Sequence, residues 1–392
     1  MSLSPVAQLM VQILVIVLVS RLAGVALRRL GQPPVIGEIV AGILLGPSLL
    51  GWWSPAAAAL LFPPATLPLL SGVAQLGLVF FMFLVGLEFD PSLLVGRRRA
   101  AIAISQAGIV VPFALGAAVA VPLHPLLAPD DAPLLSFALF FGVSLSITAL
   151  PVLARILGAQ RLLRTPVGAL ALASAAVNDV TAWCALAIVV GLVNSGGVGA
   201  GLATTGAALL YGVVMLKAVR PALLRVTPRG AVALSRDLVL GALMLLLVSA
   251  TVTELIGIHA LFGGFLLGAV MPRGSLTHGL VDKLEDFVTI VLLPLFFAVS
   301  GLRTEIGLVN TPQDWLLCFA IVGVASVGKF GGSALAARWV GMSWRESTAL
   351  GVMMNTRGLI ELIVLNIGLD LGVISPRLFT MMVLMALVTT FM

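Results

Sequence analysis

The sequence predicts an all-α polytopic membrane protein of about 13 transmembrane helices, and three observations predict it. First, 60% of the 392 residues are hydrophobic and only 10% are charged, with a mean hydropathy of +1.18. A soluble domain carries roughly a quarter charged residues, because its surface faces water. Second, apolar stretches of about 20 residues recur along the chain, the length that crosses a bilayer core. Third, the loops between these stretches alternate between rich and poor in basic residues, a mark of membrane topology. The pI near 10.3 does not point to nucleic acid, because the basic residues form no stripe.

In chain order the spans lie near 5–29, 34–50, 66–88, 99–122, 133–157, 165–193, 197–219, 236–256, 257–272, 284–302, 313–338, 345–370 and 375–392. The ninth is short and weakly separated from the eighth, so twelve is the alternative count. Residues 1–302 and 313–392 form one membrane domain. Ser2 to Leu18 leads straight into the first span with no basic segment and cleavage site ahead of it, so it reads as mature protein. The odd loops hold Arg28, Arg29, Arg97, Arg98, Arg99, Arg161, Arg164, Lys217, Arg220, Arg225, Arg229, Arg236, Arg273, Lys283, Arg338 and Arg345. The even loops hold only Arg303 and Arg377. That bias puts the odd loops in the cytoplasm, the N-terminus outside and the C-terminus inside. Cys184 and Cys318 lie within apolar runs and read as packing residues, not redox or metal sites.

Internal symmetry comes next. Gly42-Ile43-Leu44-Leu45-Gly46 in span two matches Gly264-Phe265-Leu266-Leu267-Gly268 in span nine. Phe80-Phe81 through Gly86-Leu87-Glu88 in span three matches Leu295-Phe296 through Gly301-Leu302-Arg303 in span ten. Both matches displace the chain by seven spans, and an odd displacement reverses its direction through the membrane. Spans one to six and eight to thirteen then form an inverted-topology repeat, with span seven as connector.

An ionisable side chain at mid-bilayer costs about 2.5–3.5 kcal/mol, so each needs a reason to be there. Asn178-Asp179 in span six, Lys329 in span eleven, and Arg357 and Glu361 in span twelve qualify. Arg357 and Glu361 are spaced i, i+4 and can pair with each other; Lys329 can tether a carbonyl or a carboxylate. Glu38 and Glu88 lie near span ends and read as solvated or locally paired. Glu254 and His259 read as a surface pair or gate. Asp179, alone at mid-depth beside an amide, is a functional site by default.

Spans five and twelve, partners under the repeat, both look interrupted. One reads Ser144-Leu145-Ser146-Ile147-Thr148-Ala149-Leu150-Pro151 and the other Met353-Met354-Asn355-Thr356-Arg357-Gly358. Breaks at matching positions point to a transporter's substrate site, where freed carbonyls and the Thr148 and Ser146 hydroxyls can coordinate a cation. A proline in a membrane helix can also be only a kink.

Several of these segments resemble the cation:proton antiporter-2 family, which includes Kef-type and NapA-type proteins. They are Gln32-Pro33-Pro34-Val35-Ile36-Gly37-Glu38 and its continuation to Gly42, Phe83 to Glu88, the Asn178-Asp179 pair, and Gly257-Ile258-His259-Ala260. Asn355-Thr356-Arg357-Gly358-Leu359-Ile360-Glu361-Leu362 is similar to the plant cation/H⁺ exchanger branch. The resemblance spans essentially the whole chain. It implies an NhaA-like fold with two broken, crossing helices and a homodimer. Dimerisation would use 1–95 and 236–302, the mobile transport core 96–194 and 313–392, and the connector 197–219.

The resemblance also implies a monovalent cation, K⁺ or Na⁺, exchanged for H⁺ at Asp179, with Asn178, Thr148 and Ser146 around it and Lys329, Arg357 and Glu361 balancing charge. NapA-type chains carry two adjacent aspartates where this one has Asn178-Asp179, which implies electroneutral 1:1 exchange. No cofactor is expected beyond the transported ions. Kef-type relatives often append a nucleotide-binding domain, and nothing here has its glycine-rich fingerprint. Phe391-Met392 lie inside an apolar span, so a cytoplasmic regulatory domain is expected to follow.

Rival readings are a Kef-type potassium channel, which lacks here a TVGYG-like filter, and a sodium-coupled organic-solute symporter. An enzyme is not expected, since no HExxH or comparable motif is present. The expected location is a bacterial inner membrane.

Overall fold

The computed structural model describes residues 4–29, 34–88, 98–160, 162, 165–194, 198–226 and 235–391. Gln32 and Pro33 of the first motif, and the loop residues Arg97, Arg161, Arg164 and Arg229, lie outside the described residues. All regular structure among the described residues is helical. The first half comprises α1 (Pro5–Arg28), α2 (Pro34–Leu45), the short α3 (Leu50–Trp53) and α4 (Pro55–Leu61), α5 (Leu67–Glu88), α6 (Arg98–Leu127), α7 (Leu134–Ser146), α8 (Leu150–Ala159) and α9 (Pro166–Asn194). After it come α10 (Val198–Val214), a π turn, α11 (Arg220–Val226), α12 (Arg236–Ile256), α13 (Ala260–Val270) and α14 (Ser275–Phe287). A second π turn leads into α15 (Leu293–Leu302), then α16 (Pro312–Trp339), α17 (Trp344–Met354), α18 (Leu359–Asp370) and α19 (Pro376–Phe391).

Nine helical stretches among the described residues are long and apolar enough to cross a membrane. The other four expected spans correspond to shorter or interrupted helices: α7 with α8, α13, α17 with α18, and α19. The distribution of polarity also fits lipid. Arg357, Lys329 and Glu361 are completely buried, while Leu14, Leu209, Leu316 and Val327 are about two-thirds exposed. Such a surface is stable against hydrocarbon and costly against water. Span ten begins earlier than hydropathy suggests. Its first part, α14, carries His278, Asp282, Lys283, Glu285 and Asp286, and a hydropathy window passes over an amphipathic helix of that kind.

The chain divides into two compact units. One comprises Met1–Leu18, Ala59–Asp90 and Ala187–Val299; its centre is the crossing of α5 and α13. There a Cβ on Gly86 would lie 2.2 Å from the Phe265 carbonyl, and one on Gly268 would lie 2.2 Å from the Phe83 carbonyl. The other unit comprises Val19–Ala58, Pro91–Leu186 and Ser300–Met392. Within it, a Cβ on Gly301 would lie 2.4 Å from the Ile43 nitrogen, and one on Gly46 would lie 2.9 Å from the Gly301 carbonyl. These are the matched glycines of the sequence. Gly86 meets Phe265 and Gly268 in one unit; their counterparts Gly301, Ile43 and Gly46 meet in the other.

Backbone contact this close admits no side chain, so Gly86→Val is expected to destabilise by about 1–3 kcal/mol or more through overpacking. Gly72→Ala in the same helix meets nothing within 4 Å and is expected to be neutral or stabilising by up to about 1 kcal/mol. Thermal melts of the two purified variants check the contrast.

The second unit packs α6, α8, α9, α16 and α17 around small residues, among them Ala101, Ala171, Ala173, Ala175, Ala336 and Ala337. Small side chains let membrane helices approach closely, where packing rather than water exclusion holds them together. Met354, the last residue of α17, belongs to this cluster, and the candidate site begins there.

Candidate functional site

Both breaks follow from local sequence. Pro151, second residue of α8, has no N–H to give the Ile147 carbonyl, and two adjacent β-branched residues precede Ala149. Helix α7 therefore stops at Ser146, and Ile147 is extended (φ −77°, ψ 139°). In the second break, Gly358 adopts φ 158°, ψ −130°, which favours glycine, immediately before α18.

A helix end buried in hydrocarbon leaves its last carbonyls without amides, so they must find other donors. Two cations supply them. Arg357 donates from Nη1 to the Ser144 carbonyl (3.2 Å) and from Nη2 to the Leu145 carbonyl (2.7 Å). The Lys329 ammonium donates to the Ser146 carbonyl and to the Gly108 carbonyl (2.9 Å). Gly108 is free to accept because Pro112, four residues on in α6, has no N–H to offer it. Positive charge at a helix C-terminus also complements the macrodipole.

The breaks then fasten to each other. The Ala149 N–H donates to the Thr356 carbonyl (3.1 Å), and the Thr148 hydroxyl donates to the Met354 carbonyl (3.2 Å). The Thr390 hydroxyl donates to the Arg357 carbonyl (2.9 Å). From α9, the Asn178 side-chain carbonyl accepts the Thr148 N–H (3.1 Å). Asn178 therefore latches the first break, and its buried Nδ2 has no hydrogen-bond partner among the described residues. The Ser146 hydroxyl turns back onto the Gly142 (2.7 Å) and Ile109 (3.1 Å) carbonyls, so Ser146 meets the site through its own carbonyl, bound to Lys329.

Four buried charged side chains meet here. Arg357 and Glu361 form an ion pair at 3.1 Å, both fully buried. Asp179 is also buried, yet among the described residues it is in no ion pair and no side chain hydrogen-bonds its carboxylate oxygens. The Lys329 charge and the Leu150 amide are the groups that bear on it. The seven residues expected from sequence thus come together. Sequence reasoning missed Gly108 as an acceptor; Pro112 inside span four was the signal. Glu254 and His259 belong to the first unit. The Glu254 carboxylate accepts the Ala260 N–H (2.7 Å), and His259, with φ 79°, caps the first turn of α13.

Buried, mutually compensating charges at the junction of two interrupted helices define a class of membrane protein, the ion-coupled secondary transporters. The family described as "Sodium/hydrogen exchanger, transmembrane" matches residues 14–392. The chain is 44% identical over 386 residues to Na(+)/H(+) antiporter NhaS4 of Synechocystis sp., covering 97% of this chain and 94% of that protein. It is 44% identical to Cation/H(+) antiporter 17 of Arabidopsis thaliana over 98% of this chain and 47% of that one. It is 35% identical to K(+)/H(+) antiporter 1 of Saccharomyces cerevisiae, over 99% and 46%. The chain thus spans about half the length of these plant and yeast relatives. The sodium proton antiporter MjNhaP1 from Methanocaldococcus jannaschii has the same fold, with a TM-score of 0.66 over 99% of this chain and 95% of that one at 14% identity. This chain belongs to the sodium/hydrogen exchanger family.

Proposed function

We propose that the chain is a secondary transporter that exchanges a monovalent cation for a proton, with Asp179 as the carboxylate the two ligands share. One observation carries the reading: of the three buried carboxylates among the described residues, Glu361 is tied to Arg357 and Asp314 to Arg377, whereas Asp179 is in no ion pair and no side chain hydrogen-bonds its oxygens. A buried, unpaired anion is costly, and either a proton or a cation relieves the cost. Both cannot do so at once. Binding one therefore releases the other, and Asn178 and Thr148 oxygens retain lone pairs to complete a cation's shell.

The relatives' names cover both Na⁺/H⁺ and K⁺/H⁺ antiport, which supports monovalent cation exchange here. In liposomes holding an imposed pH gradient, addition of Na⁺, K⁺, Rb⁺ or Li⁺ in turn is expected to dissipate the gradient for at least one ion. Dissipation by none of them overturns the reading. With a single exchangeable carboxylate the exchange is one for one, so an imposed membrane potential of either sign should leave the initial rate unchanged. A rate that follows the potential overturns the stoichiometry.

Alternating access follows from a transport core (96–194, 313–392) moving against a dimerisation part (1–95, 236–302) beside the connector 197–219. Inverted repeats support that motion, and the matched glycine crossings support the repeat. The basic-residue bias supports an N-terminus outside and a C-terminus inside, in a bacterial inner membrane.

A further inference from the structure

At the basic-loop end of the second unit, a cavity of about 600 Å³ opens between the starts of α6 and α9 and the turn joining α16 to α17. We propose that this cavity seats an anionic phospholipid, its phosphate on Arg98 and Arg99 and an acyl chain along Val167, Leu170 and Met342. Both arginines are exposed, and neither forms an ion pair among the described residues. Glu346 is the one acid on the lining among the described residues. Its carboxylate is already engaged by the Ser343 N–H (3.0 Å) and hydroxyl (2.7 Å), which close the first turn of α17.

Depth and shape select the ligand. Trp339 and Trp344 stand exposed at the α16–α17 turn, and exposed tryptophans mark the headgroup level of a bilayer. Arg338 stacks over Trp344 at 5.8 Å and donates to the Met342 carbonyl (2.9 Å), holding that turn in place. Below the arginines the lining is largely apolar, and its volume falls among cavities that hold drug-sized molecules, far more than a phosphate fills. Two arginines at the mouth repel cations, so the cavity is no vestibule for the transported ion. Basic pockets between membrane helices are suited to anionic headgroups.

The lipid would rest on the cluster of Ala101, Leu170, Leu350 and Met354, and so brace α17 from its first turn towards the break. The inference rests on the membrane reading and not on exchange at Asp179. Its readouts are lipid retention and melting temperature, so the two can fail separately.

The purified full chain in neutral detergent is titrated with phosphatidylglycerol, with phosphatidylcholine of the same acyl chains, and with inorganic phosphate, followed by native mass spectrometry and thermal melting. Phosphatidylglycerol is expected to be retained and to raise the melting temperature; the other two are not. Arg98→Ala with Arg99→Ala should weaken that retention roughly 30-fold, the worth of two basic groups at an anionic surface. Arg220→Ala with Arg225→Ala, which removes two charges elsewhere, should leave it unchanged. Val167→Trp keeps both arginines but fills the cavity, and should also abolish retention. If the double alanine chain does not fold, Arg99→Gln and Val167→Trp carry the same comparison. Equal retention of phosphatidylcholine, an equal loss on removing Arg220 and Arg225, or a melting shift from inorganic phosphate alone would each overturn the proposal.

Discussion

Asp179→Asn is expected to reduce cation-driven proton movement in proteoliposomes to the level of protein-free vesicles, while the melting temperature stays at or above that of the parent. Asparagine matches aspartate in shape, no side-chain hydrogen bond among the described residues is lost, and its carbonyl oxygen can still accept from the Leu150 N–H. What disappears is the negative charge for which proton and cation compete. Removing a buried charge that no ion pair holds also lowers the desolvation cost of folding. Lys329 loses one counter-charge but keeps the Gly108 and Ser146 carbonyls. A chain that melts normally and does not exchange locates the defect in transport and not in folding. Retained exchange in that chain would remove Asp179 from the mechanism. Asp179→Glu keeps the charge on a longer arm, and is expected to retain exchange with a shifted pH optimum.

The breaks and the buried charges were legible in the sequence because each has a local cause. Pro151 after two β-branched residues and Gly358 after polar residues mark the helix ends, and the i, i+4 spacing of Arg357 and Glu361 announces their pair. The destinations of the freed carbonyls were not legible. Arg357 caps carbonyls more than 200 positions earlier in the chain, and no periodicity carries that information. Ser146 shows a different limit. A serine at a helix end can turn its hydroxyl outward to a ligand or back to the carbonyl four residues before it, and composition does not choose between them. Here it turns back to Gly142. Helix α14 escaped for a third reason: its charged face lowers the mean hydropathy that a span search reads.

Arg357→Ala is expected to be the most damaging substitution for stability, at about 3–5 kcal/mol for one partner removed from a buried ion pair. Three groups lose their donor together: the Glu361 carboxylate and the Ser144 and Leu145 carbonyls. Lysine should not rescue. Its single ammonium has no planar fork to span two carbonyls and a carboxylate, as the guanidinium does. Arg357→Met combined with Glu361→Leu should be milder than Arg357→Ala, because the stranded carboxylate goes as well. The remaining deficit is the two carbonyls at the end of α7, about 1–3 kcal/mol each when unsatisfied. Melts of the single and double variants read the coupling directly. If the double variant melts no higher than Arg357→Ala, then Glu361 contributes nothing to the cost, and Arg357 serves the helix end alone.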